Sequence, residues 1–271
     1  MFQVQAISSL DLPELAPYRT LRYQMEHRQQ GIFVAESAKV VQRLLESPLP
    51  VLSVMLPETV LPDIQPALSA RPENIRVFVG PKPLLEQLTG FEMYQGVMAV
   101  GKVPPPLTLE SLLQSAPRPL LLVAADGLSN AQNMGVLVRN CAAFSAHALL
   151  AGETCCSPFL RRAVASSVGA IFRLPAVELT DLAATLRQLR SLGIRCLAAD
   201  PHTTAGTLPK ANLTGNCCIV VGSEGDGISP KVLAECDQSI AIPMPPHVDS
   251  LNVGSASAVF LYEASRQRTS A

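Results

Sequence analysis

Three stretches of the 271-residue chain set polar or glycine residues against apolar runs, and they hold the side chains best suited to chemistry. In the first, 126–139 (DGLSNAQNMGVLVR), an apolar run ends in a polar loop that opens a helical pattern carrying Asn133 and Arg139. At about 100° per residue this spacing turns Arg139 well round from Asn133, so the two need not share a face. A helix cap for Asn133 and a solvated side chain for Arg139 are the plain alternatives. In the second, 219–229 (IVVGSEGDGIS), a strand runs into Gly222, Gly225 and Gly227. Glycine permits positive φ and close backbone approach, so peptide groups here can touch a ligand directly. The spacing matches neither G-x-G-x-x-G nor G-x-x-x-x-G-K-[ST], and Glu224 opposes an anion cradle, so nucleotide phosphate binding gains little support. In the third, 242–263 (IPMPPHVDSLNVGSASAVFLYE), Ser250 and Asn252 stand at a helix start, where capping is the alternative role. The small residues 254–258 that follow allow another helix or backbone to pack closely.

The elements that must position these residues follow from periodicity. Apolar runs at 120–125, 148–151, 195–199, 218–221 and 239–242 alternate with helical patterns at about 135–144, 159–167, 181–192, 230–235 and 253–266. Such alternation predicts a mostly parallel sheet with helices on both faces. Leu182, Leu186 and Leu189 fall at helical spacing and Gly193 supplies the stop. Upstream, 33–45 reads as a strand end and an amphipathic helix, with short strands at 51–56 and 76–79, which predicts a small α/β domain. Prolines 104, 105, 106, 117 and 119 mark a linker between the two. The expected division is a small α/β domain at 1–103, a linker at 104–117 and a larger domain at 118–271.

A hydrophobic content of 48% with 16% charged residues suits a chain with a substantial core. No apolar run approaches the roughly 18 residues a membrane span needs. The N-terminus lacks the basic start and apolar stretch of a secretory signal, so the cytoplasm is the expected compartment. Seven cysteines, an odd count with no C-x-x-C pair, read as reduced and buried thiols rather than metal ligands. A formal net charge of −1 means that any nucleic-acid contact must come from local clusters of lysine and arginine.

In order and content the three stretches resemble the three motifs of the SpoU/TrmH family of RNA 2′-O-methyltransferases, within the SPOUT superfamily. Asn133, Gly135 and Arg139 match the first, Gly222-Ser223-Glu224-Gly225 the second, and Ile242-Pro243-Met244 with Ser250-Leu251-Asn252-Val253 the third. Arg161-Arg162-Ala163-Val164 and Gly169-Ala170 look similar to family sequence as well. Shorter matches at Phe33-Val34-Ala35-Glu36-Ser37 and Gln95-Gly96-Val97 resemble the small ribosomal-protein-like substrate-binding domain that precedes the catalytic one in many members, which implies that 1–103 is an RNA substrate-binding domain. Asn130-Ala131 replaces the usual Asp-Pro, Pro245-Pro246 occupies a stretch where glycine is common, and Ala165 stands where a further arginine is expected.

The resemblance implies a trefoil-knotted α/β fold, which patterning alone does not reveal because knots are rare. It implies S-adenosylmethionine held largely by backbone at Val221, Gly222, Gly225, Gly227, Ile242, Met244, Leu251 and Asn252, with no metal. Catalysis falls to Arg139, Asn133, Glu224, Ser250 and Asn252, acting on ribosomal or transfer RNA in a homodimer. For RNA capture the candidates are Arg19, Arg22, Arg28 and the neighbouring His27, with Arg161 and Arg162; scattered surface side chains are the alternative. Two rivals belong to other classes. One is a non-catalytic RNA-binding or ribosome-assembly protein that keeps the fold, opposed by the intact polar residues. The other is a doubly wound dehydrogenase, opposed by the missing dinucleotide fingerprint.

Overall fold

The computed structural model describes residues 1–21, 24–88 and 96–269. Arg22 of the expected RNA-binding set and Gln95 of the Gln95-Gly96-Val97 match lie outside them. The chain forms two compact units, Met1–Pro105 with Phe159–Arg173, and Pro106–Pro158 with Leu174–Ala271.

In the first unit the described residues form β1 (Phe2–Ala6), α1 (Ala16–Arg19), α2 (Gln24–Gln29), β2 (Ile32–Glu36), α3 (Ala38–Leu45), β3 (Val51–Leu56), α4 (Leu61–Ser69), β4 (Ile75–Val79), α5 (Lys82–Glu86) and β5 (Met98–Lys102). The strand order is β1-β4-β3-β5-β2. β1, β4 and β3 run parallel, while β5 is antiparallel to both β3 and β2. Ser37 caps α3 by accepting the Val40 amide, and the helix buries Val40, Val41, Leu44 and Leu45. Phe33 on β2 stacks on Phe172 and packs at a tilt against Phe159, with ring centroids 5.4 and 5.5 Å away. Gly101 on β5 gives that ring its room, since a side chain there would collide with it.

The second unit contributes α6 (Leu109–Ser115), β6 (Leu121–Ala125), α7 (Ala131–Ala143) and β7 (Ala148–Ala151). The chain then enters the first unit, where it forms α8 (Arg161–Ser166). On return it adds β8 (Ala176–Glu178), α9 (Leu182–Ser191), β9 (Arg195–Ala199), β10 (Cys217–Val221), α10 (Pro230–Leu233), β11 (Gln238–Ile240) and α11 (Val253–Thr269). Among the described residues the sheet order is β11-β9-β10-β6-β7-β8 and every pairing is parallel. β6, β7 and β10 are buried throughout, as a sheet covered on both faces requires. Leu122, Ala124, Leu150, Cys196, Cys218 and Val220 share one face with side chains of α6, α9 and α10. α7 and α11 pack together and against β7 and β10.

This is the expected α/β architecture with a mostly parallel sheet, but segment 159–173 packs with the first unit rather than with its sequence neighbours. Phe159 and Phe172 find their partner in Phe33, a pairing invisible to local periodicity. The proline-rich stretch read as a linker contains α6, capped by Thr108 and buried at Leu112, because its prolines flank rather than interrupt the helix. All seven cysteines are free thiols. Burial raises the Cys141 and Cys196 thiols to about 12, as expected of thiols that pack as small hydrophobes.

Candidate active site

Parallel strands carry their loops to one edge, and ligands in such sheets bind beyond the carboxyl ends where the strand order reverses. In the second unit a cavity of about 390 Å³ opens there, lined by the segments that follow β9, β10 and β11. Val221, Gly222, Glu224, Gly225, Gly227, Ile242, Met244, Ser250 and Leu251, all expected site residues, line it.

The loop after β10 folds back on itself. Ser223 and Gly227 exchange backbone hydrogen bonds of 2.9 and 3.2 Å, and the Ser223 hydroxyl accepts the Asp226 amide at 3.1 Å. Gly222 lies so close to Gly227 that a Cβ would overlap the latter's backbone, and Gly227 has a φ of +69°. Gly225 differs, because a Cβ there meets nothing within 4 Å. The outgoing end of the loop is held by Asp126, whose largely buried carboxylate accepts the Ser229 amide at 2.7 Å.

Asn133 is buried at the start of α7 but does not cap it. The cap is Asn130, whose Oδ1 accepts the amides of Gln132 (2.8 Å) and Asn133 (3.3 Å), so the residue replacing the usual Asp still caps. Asn252 joins the three polar segments. Its Nδ2 donates to the Glu224 carboxylate and, at 3.4 Å, to Asn133 Oδ1, while its own Oδ1 accepts the Gly254 amide at 2.8 Å. Asn252 therefore caps α11, and Ser250 stands exposed on the preceding loop. The small residues of α11 are used within the chain: Asn140 of α7 donates to Gly254 O (2.6 Å) and to Ser257 Oγ (3.0 Å).

Arg139 is not brought to this cluster. It is exposed on α7 and makes no hydrogen bond or ion pair among the described residues. Nearly two turns separate it from Asn133, and the helix turns it to another face.

The sequence reading missed four charged or titratable lining residues, Asp200, His202, Asp226 and Asp249, and the loop anchor Asp126. The signal for Asp200 and His202 was the polar break after 195–199, at the same sheet edge as the other loops. With Glu224 and Asp226 the lining holds four carboxylates and neither lysine nor arginine.

The expected RNA-binding residues among the described ones, Arg19, His27, Arg28, Arg161 and Arg162, lie in the first unit. Arg19 donates to the carbonyls of Leu10 (2.5 Å) and Leu12 (3.3 Å). His27 is buried against Thr20, and burial holds its pKa below the ordinary histidine value, so it offers no surface cation. Arg28 is exposed at the end of α2. Arg161 is ion-paired to Glu36, both side chains being mostly buried, whereas its neighbour Arg162 is exposed.

An α/β sheet of parallel strands with a backbone-lined cavity at its carboxyl edge defines a class of small-molecule-binding domains. Comparison with known proteins narrows it. Residues 120–262 match the SpoU rRNA Methylase family. An uncharacterized tRNA/rRNA methyltransferase of Mycobacterium tuberculosis is 30% identical over 272 residues, covering 97% of this chain and 92% of the relative. The chain belongs to the SpoU rRNA methylase family. A solved RNA 2′-O ribose methyltransferase superposes with a TM-score of 0.80 at 26% identity, covering 99% of this chain and all of the other. The SpoU methyltransferase AviRb of Streptomyces viridochromogenes, solved with AdoMet, has the same fold, with a TM-score of 0.83 at 22% identity and coverage of 96% and 100%.

Proposed function

We propose that this protein transfers a methyl group from S-adenosylmethionine to a ribose 2′-hydroxyl of ribosomal or transfer RNA, in the cytoplasm. The observation that carries the reading is the acid-rimmed, backbone-lined cavity tied by Asn252 to Glu224 and Asn133. Its fit to the methyl donor is chemical. The donor's sulfonium and ammonium outweigh its single carboxylate, and four lining carboxylates favour that net positive charge. The same carboxylates disfavour the pyrophosphate of a dinucleotide. Ile242, Met244 and Leu251 offer apolar surface for the adenine, and the groups of 221–227 offer backbone donors and acceptors. When bound, the donor supplies an activated methyl group whose thioether leaves readily, so the proposed reaction needs no metal.

Among the chain's own residues, Glu224, Asn133 and Asn252 hold the loops in register, and Ser250 orients the ribose or its phosphate. Arg139 is protonated at ordinary pH and is no base by itself. Its role is to position the hydroxyl and to stabilise negative charge as it develops on the oxygen. Because Arg139 faces away from its own Asn133, it serves the cavity of a second copy in a two-fold dimer. The exposed Tyr262 and Val259 of α11, with Phe144 packed edge-on to Tyr262, support that face as the dimer contact. The family's trefoil knot belongs to the same reading, supported by the return of α11 from the cavity loop onto α7 and β10.

Calorimetry and thermal shift test the cofactor. S-adenosylmethionine and S-adenosylhomocysteine should bind and raise the melting temperature in the presence of a chelator, while NAD should not. Binding of NAD in preference to both would overturn the reading.

A further inference from the structure

The first unit gains a surface that neither half of the sequence shows alone. Three cross-links tie α3 to the returning segment 159–173. At one end Arg161 pairs with Glu36, just before α3. Further along, Arg43 Nη1 donates to the Val168 carbonyl at 2.5 Å. At the other end Arg173 Nη2 donates to the Glu46 carbonyl at 2.7 Å. The sequence separations are 125, 125 and 127 residues, so the two segments run side by side in the same direction and nearly in register.

That register decides which charges become neighbours. By the offset of 125 the residue level with Arg162 is Ser37, two residues before Lys39, so both cations belong to the end of the pair that Arg161 and Glu36 tie together. Arg43 follows Lys39 one helical turn on, about 6 Å along the axis. Arg173 closes the row. Lys39, Arg43, Arg162 and Arg173 are all exposed. Lys39 and Arg162 make no hydrogen bond or ion pair among the described residues. Arg43 and Arg173 each use a nitrogen on a carbonyl, which fixes the guanidinium without neutralising it. Of the nearby carboxylates, Glu36 is matched by Arg161, whereas the exposed Glu46 carboxylate accepts the neutral Gln42 amide at 2.6 Å and makes no ion pair among the described residues, so it is a counter-charge at the Arg173 end. In a chain with net charge −1, this is a concentrated positive row.

We propose that this ridge, Lys39, Arg43, Arg162 and Arg173, is where the protein holds the RNA phosphate backbone. The inference rests on the RNA methyltransferase reading for its partner. It keeps Arg162 from the sequence expectation and departs from it at Arg161, which is matched by Glu36, at His27, which is buried, and at Arg19, whose guanidinium braces the 10–12 loop. A linear polyanion suits a linear row of fixed cations, and such contacts position RNA without reading its sequence.

Lys39→Ala with Arg162→Ala removes the two free cations and touches none of the cross-links, so the fold is retained. Binding of end-labelled bulk tRNA and of a ribosomal RNA transcript is measured across a salt series. The double variant should bind both roughly tenfold more weakly at about 0.1 M salt, and its slope of log affinity against log salt should fall by roughly 1.5 to 2. Lys39→Glu should weaken binding further than Lys39→Ala. Arg19→Ala with Arg28→Ala should leave the slope unchanged. An unchanged slope in the ridge variant, a lowered slope in the Arg19/Arg28 variant alone, or a wild-type chain that binds neither RNA would each overturn the ridge. The cofactor reading is scored separately: S-adenosylmethionine affinity should be equal in wild type and ridge variant, and wild-type protein that binds RNA through the ridge but not the methyl donor would defeat the functional reading alone.

Discussion

One side-chain amide, that of Asn252, donates to a carboxylate and to a second amide while its oxygen caps α11. Replacing the donor by an acceptor sets two carboxylates face to face without changing size. Asn252→Asp is therefore expected to weaken S-adenosylmethionine binding roughly tenfold or more, since a hydrogen bond to a charged group contributes about 1.5–3 kcal/mol. Titration calorimetry of the folded variant checks this, and wild-type affinity would remove Asn252 from the scaffold. The glycines of the 222–227 loop differ in kind. Gly222→Ala should lower both melting temperature and cofactor affinity, because its Cβ overlaps Gly227, whereas Gly225→Ala should leave the melting temperature unchanged. Equal melting temperatures for the two variants would contradict the folded-back loop. At this scale much was legible: polar residues at the ends of buried runs marked the cavity. The identity of the α7 cap was not. Asn130 and Asn133 are three residues apart, and only the three-dimensional start of α7 decides which one faces the free amides.

Regular elements were read where burial imposes a clear period. β7 and β9 fall where alternation predicted, because strands covered on both faces are continuous apolar runs. β8 has three residues, too few for any period, and β11 ends at Ile240 rather than 242. The excursion through 159–173 was illegible for a different reason: it is held in the first unit by aromatic packing and polar cross-links between residues far apart in sequence. Phe172→Ala removes one ring of the Phe33 stack and should cost about 3–5 kcal/mol, as buried aromatic truncations do. Denaturant unfolding should show that loss. A change below about 1 kcal/mol would mean the segment is held by its backbone contacts rather than its rings.

For the whole molecule, the proposed dimer makes Arg139 a residue that acts across subunits. Arg139→Ala should abolish most turnover while leaving S-adenosylmethionine affinity nearly intact. Mixing that variant with Asn252→Asp protomers under exchanging conditions should restore activity above either alone, because one interface of the hybrid then pairs an intact arginine with an intact cavity. No restoration, in a mixture shown to exchange, would return Arg139 to its own cavity. The claim on which these arguments depend is the position of the transferred methyl group. It is tested by incubating the protein with S-adenosylmethionine labelled in its methyl group and RNA from cells lacking the gene, then digesting the RNA to nucleosides and identifying the labelled species by mass spectrometry. The account predicts label on the ribose of a single nucleotide as its 2′-O-methyl derivative, lost with Arg139→Ala. Label on a base, or no label in RNA, would contradict it.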